Sequence, residues 1–325
     1  GMTLINFAEK LSSFSSPVAV GMSGNFRQMK RRILNIAVFR KETLYQKMRA
    51  LIIYLVISAV FIGCTPILSI DASTQSVYHF SDTDKNISLL DISETFGTYD
   101  GSFVLYDNNL DSWKIYDLEE ATKRIPPEST YKIYDALLGL ESGIITPEHS
   151  SMTWNGDAFP FPSWEADQDL NSAMQNSVNW YFQAIDSQLG INRVQEFLNK
   201  IEYGNQTTSS NLDLYWSDFS LKISPLEQVT LLKKFNTNEF HLNFQNVFSV
   251  KNAIKIASTP NGNFYGKTGT GRVNGQDING WFIGYVETSD NSYYFATNIQ
   301  SDSNATGKKA FEITSDILKK LHIWN

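Results

Sequence analysis

Three short polar motifs in this chain have residue types and spacings suited to acyl-transfer chemistry. Ser129 and Lys132 are three residues apart, which on a helix places a hydroxyl and an amine side by side. Counting from Ser129, residues Lys132/Ile133, Ala136/Leu137 and Leu140 share one stripe, apolar beyond its first turn. A lysine directed into such a stripe is costly to keep charged, so its pKa falls and the amine becomes a proton acceptor for the serine. Alone, the pair reads first as a capping serine followed by a lysine that snorkels to the surface. The second motif is Ser177-Val178-Asn179, in a helical pattern where Ser and Asn are poor choices unless they serve a site. Its plain alternative is a satisfied helix surface. The third is Lys267-Thr268-Gly269-Thr270-Gly271, in a strand pattern that glycine should weaken. Glycine there lets a ligand approach the backbone, and a neighbouring N–H can complete an oxyanion hole; the plain alternative is an edge strand with a bulge.

The elements that must hold these motifs follow from periodicity and punctuation. Pro126, Pro127 and Glu128 precede the serine helix, and Gly143 stands where it would stop. Residues 170–189 predict one continuous helix, with Ala173, Met174, Val178, Tyr181, Phe182 and Ile185 on a shared side. Residues 191–201 predict another, and 203–220 a polar loop. Residues 225–235 predict a helix with Ser224 as N-cap and Glu227 completing a capping box. An early hairpin is expected over 101–106 and 113–116. A late meander is expected over 265–273, 280–287 and 292–299, turning at Asn274-Gly275 and at 289–291, and a closing helix over 309–321. Helices bracketed by these strands predict an α+β fold, an antiparallel sheet flanked by helices in an α/β sandwich, with the chain ends meeting on the sheet.

Composition narrows the function classes. The chain has 325 residues, 42% apolar and 13% aromatic, enough for a substantial core. Cys64 is the sole cysteine, so no intrachain disulfide forms. Four scattered histidines, with no His-Glu-x-x-His and no Cys/His cluster, give no metal site to expect. The net charge of −7 is uneven: residues 1–49 hold nine basic and two acidic side chains, and the remainder carries a balance of −14. Nucleic acid is therefore not an expected partner. Residues 50–70 contain no charged residue, follow Lys41, Lys47 and Arg49, and precede Asp71. They predict a transmembrane helix with a cytoplasmic N-terminal side and everything after Asp71 outside the cell. Met48-Arg49, the apolar run and Phe61-Ile62-Gly63-Cys64 also resemble a lipoprotein signal with a lipid anchor at Cys64; the 47 residues upstream favour the spanning helix. The expected division is a basic cytoplasmic segment 1–49, the span 50–70, a stalk 71–92 and a domain 93–325.

In order and separation, the three motifs match the active-serine penicillin-recognising plan of Ser-x-x-Lys, Ser-x-Asn and Lys-Thr-Gly. Further markers are Trp164 with Asp169, Tyr203-Gly204-Asn205, Tyr215-Trp216 and Gly280-Trp281-Phe282-Ile283-Gly284. Together they resemble class D serine β-lactamases, and still more the extracellular sensor domain of the β-lactam sensor-transducers of the BlaR/MecR family. The resemblance implies acylation of Ser129 by a β-lactam, with Lys132 as base, a lysine that in this family can be carbamylated by CO2. Ser177 would shuttle a proton to the leaving nitrogen. Lys267, Thr268 and Thr270 would bind the drug's carboxylate along the glycine-bearing strand of Gly269, and the Ser129 and Thr270 N–H groups would hold the acyl oxygen. Trp216 stands where class D enzymes place a tryptophan supporting the modified lysine. No other cofactor is implied. The implied partners are β-lactam antibiotics, the membrane, an upstream metalloprotease region absent from this sequence, and a downstream repressor. Asn179 departs from the apolar valine usual in hydrolytic class D enzymes. An amide there can hydrogen-bond the lysine, disfavour the carbamate and stall deacylation. The reading is thus a membrane-anchored sensor that stays acylated, with a class D hydrolase and a D,D-transpeptidase as alternatives.

Overall fold

The computed structural model describes residues 76–81 and 85–325. The basic segment 1–49 and the apolar run 50–70 lie outside the described residues; among those described, no helix is long and apolar enough to cross a membrane.

The late meander forms the centre of the sheet. Strands β5 (Gly262–Val273), β6 (Gln276–Thr288) and β7 (Ser292–Gln300) run antiparallel. Asn274 and Gly275, with φ of 49° and 80°, supply the two left-handed residues a tight hairpin needs. Strand β2 (Asp100–Asp107) pairs with β7 from Asp100↔Gln300 to Asp107↔Tyr293, and β3 (Ser112–Tyr116) folds back on β2. The early hairpin and the late meander thus join in one sheet, as predicted. Two short strands then complete it: β1 (Asn86–Leu89) lies parallel to β3, and β4 (Lys255–Thr259) borders β5, giving the order β1-β3-β2-β7-β6-β5-β4. The β1 pairing makes the sheet mixed rather than purely antiparallel. It also places residues 86–89 in the domain, so the stalk expected over 71–92 is too long.

Side chains alternate across the sheet and both faces are covered, which is why the strands read as nearly continuous apolar runs. On β6, Trp281, Ile283 and Tyr285 point to one layer, and Phe282 and Val286 to the other. The thinner layer consists of α1 (Ser93–Phe96) and the closing helix, Gly307–Lys320, whose Ile313, Ile317 and Leu318 pack on Phe103, Phe264 and Phe295. The thicker layer holds α2 (Leu118–Thr122), α3 (Lys132–Glu141), α4 (Leu170–Gln175), α5 (Asn179–Leu189), α6 (Ile191–Ile201), α7 (Pro225–Asn236) and α8 (Phe244–Ala253), which makes the closing helix α9. The capping box of Ser224 and Glu227 forms as expected.

Two differences from the sequence reading bear on the site. Helix α3 is buried all round and not along one stripe alone: every residue from Lys132 to Leu140 is buried, the two charged ones included. The helix expected over 170–189 is broken. Residues 176–178 separate α4 from α5, and Ser177 adopts φ 52° between them. The apolar periodicity runs through the break because Val178 stays buried at its edge.

Candidate active site

The serine stands on a turn bolted to the sheet. Pro126 O accepts hydrogen bonds from Trp281 Nε1 (2.8 Å) and Asn279 Nδ2 (3.1 Å) of β6. A 3-10 turn, Glu128–Tyr131, follows and passes into α3 at Lys132. Glu128 is left-handed at φ 53°, a conformation that costs a non-glycine residue free energy and persists only where its surroundings dictate it. Here its N–H donates to Trp216 O (3.0 Å), and Thr130 Oγ1 donates to Pro127 O (2.6 Å) while accepting from buried Gln228 (3.0 Å). Strand β5 lies directly against this turn. A Cβ on Gly269 would stand 3.0 Å from Glu128 Cβ and 3.1 Å from Pro127 O, and one on Gly271 would stand 2.5 Å from Glu128 Oε1. The glycines of the third motif are thus required by the backbone that carries the first. A Cβ on Gly307, at the start of α9, would meet Gly269 O at 2.7 Å, and the Gly307 N–H donates to Thr270 Oγ1 (2.9 Å).

Lys132 is 1% exposed. Its Nζ lies 2.8 Å from Ser129 Oγ and 2.6 Å from Asn179 Oδ1, with the rings of Phe182 and Trp216 at 5.6 and 5.7 Å. Burial pulls its pKa down to about 7, against the opposing pull of Asp135 and then Glu128. Near neutrality the lysine is therefore substantially a free amine. In that form its lone pair can accept the Ser129 proton along the 2.8 Å line while an N–H still donates to Asn179. Glu128 is itself pushed up to about 8 by burial, less what its contacts with Asn279 and Lys132 return.

The second motif meets the third across the cleft. The left-handed turn at Ser177 aims its hydroxyl at Lys267, whose Nζ donates to Ser177 Oγ and to Thr268 O (3.0 Å). Burial, followed by repulsion from Lys132, holds Lys267 well below the usual lysine range. A cleft of about 330 Å³ opens over these groups, lined by Ser129, Ser177, Asn179, Thr268, Gly269 and Thr270 among others. Its convergent hydroxyls, paired lysines and close backbone can activate a nucleophile, protonate a leaving group and receive an anion. Of the expected site residues, Lys132, Lys267 and Trp216 lie buried behind the lining of the cleft, the two lysines reaching it through the serines they contact and Trp216 forming part of the wall around Lys132.

Sequence reasoning missed several contributors. Phe161 and Ser163 join Trp164 at the rim, carried there by the irregular 144–169 stretch. Arg272 and Asp277 close the opposite side as an ion pair of 2.7 Å. In the sequence Glu128 is only an acid ahead of a helix; its position between Pro127 and Ser129 is the available signal. Among the described residues no cluster of three or more His, Cys, Asp or Glu could hold a metal.

Comparison with known proteins gives a consistent picture. The family model for the penicillin binding protein transpeptidase domain matches residues 101–319. The chain is similar to Regulatory protein BlaR1 of Bacillus licheniformis, 42% identical over 328 residues, which takes in 100% of this chain and 54% of that protein. It is 37% identical to the Probable beta-lactamase YbxI of Bacillus subtilis, over 72% of this chain and 86% of that protein. Among solved structures, the C-terminal domain of the Bacillus licheniformis BlaR penicillin-receptor aligns with a TM-score of 0.72 and 45% identity, covering 74% of this chain and 99% of that one. The chain spans about half the length of the BlaR1 relative.

Proposed function

The chain belongs to the penicillin binding protein transpeptidase family, alongside the BlaR/MecR receptors, and from that premise we propose that it is a β-lactam receptor acylated at Ser129 and slow to release its acyl group. Ser129 Oγ attacks the lactam carbonyl as its proton passes to the Lys132 amine. The lactam C–N bond breaks, the nitrogen takes a proton through Ser177, and an ester on Ser129 remains. Lys267, Thr268 and Thr270 receive the drug's carboxylate beside Gly269, and the Ser129 and Thr270 N–H groups hold the developing oxyanion.

The observation that carries the receptor reading over a hydrolase is the 2.6 Å contact between Lys132 Nζ and Asn179 Oδ1. Addition of CO2 to Nζ, with release of a proton, would leave one N–H on the nitrogen and set a negatively charged carbamate beside the Asn179 oxygen, so the amide favours the lysine as an amine. Without the carbamate, the base that would activate a deacylating water is missing. The second reading, a class D hydrolase, draws on Trp216 beside Lys132 and on the similarity to YbxI. The third, a D,D-transpeptidase, requires turnover of a D-Ala-D-Ala peptide.

Incubating the chain with a fluorescent penicillin and a chromogenic cephalosporin separates them. A one-to-one adduct that outlasts many minutes without cephalosporin hydrolysis is the expected outcome, and rapid multiple turnover overturns it. The same reading places residues 50–70 across the cell membrane, 1–49 in the cytoplasm, a stalk after 70 and the domain outside. A protease added to intact cells should then remove the domain and spare the basic segment. Coupling to an upstream metalloprotease region and a repressor belongs to this proposal as well.

A further inference from the structure

Behind Lys132 lies a second group of ionisable side chains that the reaction scheme does not use. Asp135, one helical turn further along α3, and Asp186, on α5, are both 0% exposed. The two helices approach closely at this point: a Cβ on Gly139 would stand 3.0 Å from Ile185, the neighbour of Asp186. None of the four carboxyl oxygens of the pair, nor the hydroxyls of Tyr131 and Tyr215, makes a hydrogen bond of good geometry, although Asp135 and the Tyr215 hydroxyl both lie close enough to Asp186 to act on its protonation. Two ionised carboxylates are acceptors only, so they cannot satisfy each other, and side by side in a dry core they cannot both keep their charge. One proton between them turns two orphan acceptors into a donor and an acceptor and leaves a single negative charge.

We propose that Asp135 and Asp186 are positioning residues that share one proton across the α3–α5 interface and thereby set the charge Lys132 carries when Ser129 is attacked. The inference rests on the acylation reading above. Of the charges acting on Lys132, Asp135 is the strongest, with Glu128 second, and both favour the ammonium form. Lys267 on β5 is the cationic neighbour, held down by the charge of Lys132, and Asn179 and Ser129 are the neutral contacts of Lys132. The acid pair is faced by Lys132, Tyr131 and Tyr215, with Asp213 acting on Asp186 from outside. Burial drives both carboxyls upward, and each further responds to the other. The only bonds exchanged are O–H bonds between the two carboxyls. The reaction is touched through the lysine: the more negative charge resides on Asp135, the more basic Lys132 becomes.

The test is the pH profile of acylation by a fluorescent penicillin, followed on the whole chain. The wild-type rate should rise through about pH 7 as Lys132 loses its proton. Asp135→Asn removes the nearer charge and should move that midpoint down by about one pH unit or more. Asp186→Asn gives Asp135 an amide donor and the whole negative charge, and should move the midpoint up. Opposite displacements support the proposal; midpoints that coincide with wild type, with only the plateau rate altered, overturn it. A second readout does not need acylation or the two variants to fold. In the Glu128→Gln chain, infrared spectroscopy at neutral pH should still show a protonated carboxylic acid that resists exchange, and its absence overturns the shared proton. A wild-type chain that no penicillin acylates at any pH would instead overturn the functional reading, while the infrared band still decides the pair.

Discussion

The two lysines of the cleft make an informative pair. Both are buried and each is bonded to a serine, yet their surroundings differ in sign. Lys132 has Asp135 and Glu128 behind it, so its depression by burial stops at about 7. Lys267 has Ser177 and the Thr268 carbonyl as partners and Lys132 as a repelling neighbour, and it lies well below the usual lysine range. One lysine has its counter-charge built in and can exchange a proton near neutrality. The other receives only neutral acceptors from the described residues, which leaves its countercharge to an incoming anion. Burial alone does not assign a role to a lysine; the acids packed around it do.

Substitutions should separate the two roles. Lys132→Ala should have the largest effect, lowering the acylation rate by about 10²–10⁴ at every pH, with the adduct measured by mass spectrometry. Lys267→Ala should cost about 10²-fold, chiefly in the concentration of penicillin needed. The cost should shrink for a lactam whose carboxylate is esterified, and an equal loss for both ligands would break the distinction. Asn179→Val should leave acylation near its original rate and raise deacylation by about tenfold or more. An unchanged adduct lifetime would show that the amide does not hold the lysine as an amine. Glu128→Gln should have the smallest effect on acylation, a downward midpoint shift below that of Asp135→Asn. It should also change stability. The folded state holds a Glu128 proton up to about pH 8, whereas the unfolded chain releases it near 4.5. Wild-type stability should therefore fall relative to the variant as pH rises through that window, by at most about 1.4 kcal/mol per pH unit, as read by chemical denaturation.

How much of this was legible in the sequence varied with the residue. The meander was plain because Asn274-Gly275 fixes a hairpin and its strands are long. The capping box at Ser224 and Glu227 announced α7. Strand β1, four residues long, and helix α8, with Phe244 and Phe248 exposed, carry too little periodic signal to stand out. The break at Ser177 was hidden because a buried valine on either side of a helix end looks the same in one dimension. Asp135 and Asp186 each fall where a helix could show a polar side chain to solvent. Only the approach of α3 to α5 makes them neighbours, and no local pattern reports that.

The pairing around residues 122–125 has one more consequence. Arg124 N–H donates to Ser76 O and Tyr78 N–H to Thr122 O, both at 2.8 Å, while Ile125 pairs with Ile223. The chain that enters the domain is therefore zipped to the segment that runs, five residues later, into Ser129. Measured along the polypeptide, Ser76 is remote from Ser129; measured through hydrogen bonds, it is one rung and a short span of backbone away. Strain imposed on the Ser129 turn and load arriving where the chain enters the domain would act on the same tether.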